Sequence, residues 1–268
     1  MITTKTYLPD RHALAFHREK ATAEFWDKHW ETDKLQEIIR GTKDDGLFVP
    51  LVKRYLPAES VVLEGGCGLG YIVHALQFQG YRAIGVDFAA QTIRKIKEVA
   101  PELDVRVDDV RALELPGSSL DGYVSVGVIE HFWEGHESIV REMYRTLRMG
   151  GFLFISFPYL SPLRRLKIFF RMYPSALKQE LDLRADTFYQ FALSSRRIQS
   201  DLEALGFELK EIVTYDGVKG LKDEVALLQP FLQPIYDGKR APRWRRRLDR
   251  LFKPFASHCA LLVLQKVK

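Results

Sequence analysis

The sequence predicts an α/β fold in which a parallel sheet is covered by helices on both faces. Two observations carry this expectation. From residue 58 onward, short β-branched and aromatic runs alternate with amphipathic helical segments, which is the pattern of βαβ units. The first of those runs also opens into a glycine turn, "VVLEGGCGLGY", Val61 to Tyr71. A bend with so many glycines needs φ > 0 or must let something approach closely, because each glycine costs conformational entropy on folding.

Residues 10–56 read as helical. Phe25, Trp26 and Trp30 fall at helical spacing, Gly41 and Asp44-Asp45-Gly46 interrupt, and "LFVPLVKRYL" leads on to Pro57. Residues 1–57 are therefore expected to form a helical cover over a core at 58–268. Within the core, 60–64 reads as a strand, Tyr71–Phe78 as a helix, Arg82–Asp87 as a strand and Ala90–Val99 as a helix. Strands follow at 104–107 and 122–126. A helix over 137–147 is stopped by Gly150-Gly151, and 152–157 is a strand bounded by Pro158. Residues 159–193 break the rhythm and read as an insertion of one or two amphipathic helices. Ser195–Leu205 is a helix ending at Gly206, and 207–216 is a strand. A second insertion, 217–256, precedes the final strand at 258–266.

The chain's 268 residues suffice for one well-buried core with inserts. Its net charge of +5 is unevenly spread: Lys239, Arg240, Arg243, Arg245, Arg246, Arg247, Arg250 and Lys253 crowd one stretch. Such a local patch implies an acidic partner or a membrane surface more than general affinity for polyanions. Cys67 and Cys259 fit neither a zinc site nor a disulfide framework, so a reducing cytoplasm is the expected compartment. The first twenty residues lack a signal-peptide apolar core, and no apolar run approaches the ~20 residues that span a bilayer.

A strand, a glycine turn, a helix and an acid on the next strand suit two kinds of cofactor. The dinucleotide fingerprint needs a third glycine inside the helix. Counted from Gly66 that position is Tyr71, and counted from Gly68 it is Val73. Glu64 before the turn would repel a pyrophosphate but suits an ammonium or a sulfonium.

"VLEGGCGLG" followed by "GVDFA" resembles the class I S-adenosylmethionine-dependent methyltransferases, and within them the small-molecule group that includes ubiquinone- and sugar-modifying enzymes. The order "DDVRALELPGSSLDGYVSVGVIEHF" then "EMYRTLRMGGFLFISFP" sharpens the likeness, which covers Val61 to about Phe157 and the closing strands. It implies a Rossmann-like sheet of seven mostly parallel strands with the last antiparallel, and S-adenosylmethionine as cofactor without a metal. By the same resemblance Glu64 faces the methionine end, and Gly66, Gly68 and Gly70 let the backbone lie against sugar and amino acid. Asp87 accepts from the ribose hydroxyls and Phe88 lies against the adenine. Asp109 and the Val110 backbone read the adenine edge, with Asp108 as the competing contact, and the backbone at Gly127 and Val128 meets the methionine part. Cys67 is expected to pack rather than react, since nothing nearby lowers a thiol pKa.

Methyl transfer to a hydroxyl needs the acceptor's proton removed at or near the transition state. His131 in "VIEHF" is the first candidate base with Glu130 orienting it, although the pair also suits a purely loop-shaping role; His29, His136 and Tyr159 follow. Trp26 and Trp30 either close over the cofactor or belong to the core. "VGVIEHF" has no Asp/Asn-Pro-Pro-aromatic motif and the chain no Pro-Cys nucleophile, so nucleic acid is not the expected acceptor. In "PRWRRRLDRLFKPF", Trp244, Leu248, Leu251 and Phe255 share one helical face. That stripe packs on the domain, or Lys239–Lys253 lies on anionic lipid and brings a lipid-linked acceptor within reach, or the basic inserts receive an anionic small substrate such as a nucleotide sugar. The leading expectation is O-methylation of a small molecule, sugar or lipid-linked intermediate. N- or C-methylation, a non-catalytic cofactor-binding partner and a nicotinamide dehydrogenase are the alternatives.

Overall fold

The computed structural model describes residues 4–30, 35–177, 187–238 and 242–268. The chain opens on a hairpin, β1 (Thr4–Leu8) and β2 (Ala13–His17), followed by helices α1 (Ala23–His29), α2 (Leu35–Gly41) and α3 (Phe48–Tyr55). The alternating part runs β3 (Val61–Gly65), α4 (Tyr71–Phe78), β4 (Arg82–Asp87), α5 (Ala90–Val99), β5 (Val105–Val107), β6 (Leu120–Val126), α6 (Glu137–Thr146) and β7 (Leu147–Pro158). Then come α7 (Pro162–Phe169), β8 (Phe188–Ala192), α8 (Ser195–Leu205) and β9 (Phe207–Tyr215). Helices α9 (Gly217–Glu224), α10 (Gln229–Tyr236) and α11 (Pro242–Ala256) lead to β10 (Cys259–Lys266).

Seven strands form one sheet in the order β5-β4-β3-β6-β7-β10-β9. β3, β4, β5, β6 and β7 pair in parallel, while β10 runs antiparallel to both of its neighbours. This is the Rossmann-like sheet expected from the sequence, reversed last strand included. The chain leaves β3 toward β4 on one side and later returns to β6 on the other. A crevice therefore opens at the carboxyl ends of β3, β4 and β6, the switch point where such sheets bind ligands. Each sheet face has its own core. Leu63, Tyr123, Leu153, Ile155 and Leu262 anchor one, and Val62, Val124, Phe154, Leu261 and Val263 the other. Alternate residues of the same strands thus serve opposite faces, at roughly 1.5–3 kcal/mol for each large apolar side chain buried.

The helical expectation over 10–56 needs correction at its start. Ala13–His17 is a strand, buried at all five positions, in a second sheet of order β1-β2-β8. It does not alternate because both its sides are covered. Leu14 and Phe16 pack with Leu160 and Tyr173, while Ala13 and Ala15 join the main core. The insertion after residue 158 is likewise mixed, with helix α7 and then strand β8 pairing back onto β2. Its strand β8 packs against the short helical turn at Ile129–His131 that follows β6.

Candidate active site

The glycine turn after β3 is bent back by two donors on one acceptor. The Gly66 and Cys67 N–H groups both reach Val86 O, at 2.8 and 2.9 Å. Gly66 and Gly68 take φ of +75° and +49°, which side chains rarely tolerate. Space forbids a side chain as well: a Cβ on Gly66 would fall on Val128 Cγ2, and one on Gly68 would come within 2.8 Å of the Trp30 ring. Gly70 differs. It shares the left-handed conformation as N-cap of α4, but a Cβ there would only touch Ile96, Leu103 and Val105, and it does not line the cleft.

The cleft at this crevice has a volume of about 640 Å³. Glu64, Gly66, Gly68, Asp87, Phe88, Asp109, Val110, Gly127, Val128 and His131 all line it, whereas Gly70 and Glu130 do not. Two buried acids form its floor. Asp87 Oδ2 accepts from the Gly68 N–H and Oδ1 from the Ala89 N–H, each at 2.9 Å. Burial raises the Asp87 carboxyl from its usual range, and those two N–H groups pull the other way. Glu64 is buried, and its Oε2 has no hydrogen-bond partner among the described residues. Burial, with Asp45 and Asp87 nearby, pushes its carboxyl well above the usual range.

Phe88 is exposed into one end of the cleft. Beside it, Asp109 is committed to Arg111, whose Nε lies at 2.9 Å and Nη2 at 2.5 Å, and that guanidinium holds its carboxyl below the usual range. Asp108 caps the loop instead, accepting from the Asp109 and Glu114 N–H groups, and does not line the cleft. At the other end Gly127 takes φ +68° and donates to Ser156 O at 3.0 Å.

Aromatic rings roof the cleft. Trp26 and Trp30 stack with centroids 5.6 Å apart, and Trp26 meets the His131 ring edge-on at 5.1 Å. His131 Nδ1 lies 2.7 Å from Tyr189 O, and the two rings are 5.1 Å apart. A carbonyl only accepts, so Nδ1 carries a proton, and in the neutral form of the ring the basic lone pair is the one on Nε2. Glu130 does not supply this orientation. Its Oε1 is 3.9 Å from Nε2, beyond hydrogen-bond range, and it faces inward beneath Gly127. Burial pushes the Glu130 carboxyl up to about 8. Tyr189, which orients the imidazole, lies in β8 within the insertion and acts through a backbone atom that no residue type signals.

The remaining candidates separate. His136 pairs with Asp201 at 3.2 Å away from the cleft, and Tyr159 is buried outside it. The side chain of His29 lies outside the described residues. Burial and the neighbouring Glu64 and Asp87 push the Cys67 thiol well up, as a packing residue requires. Among the described residues no group of three or more His, Cys, Asp or Glu side chains is placed to hold a metal.

Comparison with known proteins agrees with this geometry. Residues 63–155 match a family described as a methyltransferase domain. A probable S-adenosylmethionine-dependent methyltransferase of Mycolicibacterium smegmatis is 31% identical over 56% of this chain and 52% of its own length. A ubiquinone biosynthesis O-methyltransferase of Xanthomonas campestris is 27% identical over 54% of this chain and 61% of its own. The chain thus spans between about half and three fifths of the length of these two relatives. In fold, it is similar to a crystallised S-adenosylmethionine-dependent methyltransferase of Archaeoglobus fulgidus, with a TM-score of 0.53 and 20% identity over 86% of this chain and 97% of that one.

Proposed function

We propose that the chain, whose residues 63–155 match a methyltransferase domain, transfers a methyl group from S-adenosylmethionine to a hydroxyl of a small molecule, a sugar or a lipid-linked intermediate. The residues present fit the cofactor. Glu64 Oε2 is buried without a hydrogen-bond partner among the described residues, and a cationic amino or sulfonium group beside it would favour the ionised form that burial opposes. Gly66 and Gly68 leave backbone exposed to the cleft, Asp87 keeps a lone pair on each oxygen beyond its two N–H bonds, and Phe88 offers an apolar face. Asp109 would serve the adenine edge only while shared with Arg111; the Val110 backbone beside it carries no such commitment.

When bound, the cofactor supplies an electrophilic methyl group. The protein's own contribution is alignment, exclusion of water and handling of one proton. Trp26 and Trp30 shut water from the turn. His131 takes the hydroxyl proton on Nε2, because Tyr189 O holds the ring in that tautomer. This fixed tautomer is the observation that favours a hydroxyl acceptor, since an amine already neutral in solution presents its lone pair without needing a base at the transition state.

A lipid-linked acceptor has support in the surface made by α7 and α11. The face of α11 that packs on α9 is Asp249, Phe252 and Ala256, pressed against Gly217 and Gly220. Its apolar stripe therefore points outward: Trp244 is 56% exposed and Leu251 68%. On α7 and the turn after it, Leu166, Phe169, Phe170 and Met172 are exposed too, among Arg165 and Arg171. Large exposed apolar side chains ringed by arginine suit the headgroup region of an anionic bilayer. Lys239, Arg240 and the Arg243 side chain lie outside the described residues. No helix among the described residues is long and apolar enough to cross a membrane.

The test is release of the demethylated cofactor from S-adenosylmethionine in the presence of phenolic, sugar and amine acceptors. With the wild-type chain a hydroxyl acceptor should turn over, and His131→Gln should lower kcat by about 10²–10⁴ with little change in cofactor affinity. Turnover of amines alone, or a variant as fast as the wild type, would overturn the reading.

A further inference from the structure

We propose that a second cleft, with Tyr189 among its lining residues, binds a phosphate or diphosphate group. Its volume is about 450 Å³, and Lys5, Arg18, Lys219, Lys222 and His258 line it with one carboxylate, Asp223. These residues come from three separated segments: the first hairpin, helix α9 and the turn before β10. None belongs to the cleft at the glycine turn.

Positive charge outweighs negative in this cluster. Asp223 accepts from Lys219 at 2.7 Å and from Lys222 at 2.6 Å. Behind it the buried Glu224 accepts from Lys5 at 2.9 Å, Arg164 at 2.9 Å, Lys167 at 3.0 Å and the Tyr173 hydroxyl at 2.5 Å. Five cations thus share two carboxylates, and Arg164 is completely buried. The surplus among the described residues is three positive charges. It remains three when Arg18 at the mouth and the adjoining Asp216, Asp249 and Arg245 are included.

Uncompensated charge held away from water is costly, by several kcal/mol for each ion in typical cases. The neighbours register it. Arg164 Nη2 lies 3.1 Å from His258 Nδ1, and because a guanidinium only donates, His258 is a neutral acceptor whose ring proton sits on Nε2. Burial and the surrounding cations Lys219, Arg164, Lys5 and Lys222 hold that imidazole well below its usual pKa. An anion in the cleft would balance the cluster.

The chemistry selects phosphate over a lone carboxylate. Three lysine ammoniums are compact charges with rotatable donors, suited to a group with several oxygens and more than one negative charge. A diphosphate matches a surplus of three more closely than a monoanion does. The group would be free, carried by a nucleotide or sugar, or part of a lipid headgroup. Tyr189 forms part of this cleft's wall and also orients His131, so a ligand here would sit one residue away from the proposed base. The site does not depend on methyl transfer and stands or falls separately from it.

The experiment is calorimetric titration of the full chain with inorganic phosphate, pyrophosphate and uridine diphosphate at low salt. Co-sedimentation with phosphatidic acid vesicles is run alongside, with S-adenosylmethionine titrated in the same samples. Pyrophosphate should bind once per chain and more tightly than phosphate, and Lys219→Gln and Arg18→Ala should each weaken it by about tenfold, as loss of one charged hydrogen bond implies. Tighter binding of the nucleotide would identify a nucleotide carrier, and vesicle binding lost in Lys219→Gln a lipid headgroup. Absence of pyrophosphate binding at millimolar concentration in a chain that still binds S-adenosylmethionine would overturn the proposal. So would binding indifferent to both substitutions. Pyrophosphate binding without S-adenosylmethionine binding would instead refute the cofactor reading and leave this site standing.

Discussion

The backbone N–H of Gly68 donates to Asp87 Oδ2 at 2.9 Å, so the acid that ends one strand holds the glycine turn that ends its neighbour. The other oxygen caps the start of the next segment through the Ala89 N–H. Asp87 therefore has two duties: it shapes the bare-backbone turn, and it is the acid proposed to meet the cofactor's sugar.

Asp87→Ala should show both. Losing two charge-assisted bonds should cost about 1–3 kcal/mol of stability. Affinity for S-adenosylmethionine should fall at least tenfold, since a lost charged hydrogen bond of that size is about one decade or more. Asp87→Asn should recover much of the stability but not the affinity, because an amide has only one acceptor oxygen for an N–H and a hydroxyl together. Urea unfolding and calorimetry on the same preparations separate the two losses. An affinity unchanged in Asp87→Ala would remove the assigned role.

Gly66 and Val128 test the turn from the opposite side. A Cβ at Gly66 meets both a left-handed φ and Val128 Cγ2. Gly66→Ala should therefore destabilise the fold by about 1–3 kcal/mol and weaken cofactor binding. Adding Val128→Ala should relieve the collision but not the backbone strain, so recovery should be partial. Full recovery of thermal stability in the double variant would show that φ costs nothing there.

The extent to which the sequence announces this arrangement follows from the range of each signal. Helices α4, α5 and α8 and strand β4 have the bounds that the periodicity predicts, because a 3.6- or 2-residue repeat is written locally. The hairpin β1–β2 is hidden because its outer pairing is with β8, where His17 lies opposite Phe188 far along the chain. A strand buried on both sides also lacks alternation. Direction is the other blind spot. A stripe at Trp244, Leu251 and Phe255 is visible in the sequence, but whether it faces in or out depends on Gly217 and Gly220 admitting the opposite face. Glu130 beside His131 reads as its orienting partner, yet the short helical turn at Ile129–His131 sends the two side chains apart.

The outward stripe leads to a membrane prediction. The chain should co-sediment with vesicles rich in anionic lipid and release in high salt, because attraction between exposed charges is screened. Phe169→Ser with Phe170→Ser should reduce binding without changing its salt dependence. Arg246→Ala with Arg247→Ala should reduce both, at about 1 kcal/mol per arginine near the surface. Binding unmoved by either pair would assign the surface to another partner.

Glu130 makes the pH prediction. Burial pushes its carboxyl up to about 8, from an ordinary value of 4.5. A carboxyl whose pKa is raised on folding holds a proton that the unfolded chain gives up earlier. Its stabilising contribution is therefore complete below the unfolded pKa and is lost as pH climbs through the folded one. At about 1.36 kcal/mol for each pH unit between those two values, the loss from pH 4 to pH 9 is roughly 4–5 kcal/mol. Glu130→Gln replaces the acid with a neutral group of the same shape, so the variant should resemble the wild type near pH 4 and exceed it in stability near pH 9. The difference between the two proteins is the quantity to measure, because Glu64 and Asp87 are also raised by burial and tilt both curves alike. Urea midpoints at five pH values suffice. Parallel curves would mean that Glu130 is ionised in the folded chain, with a cation or ordered water beneath Gly127 to hold it so.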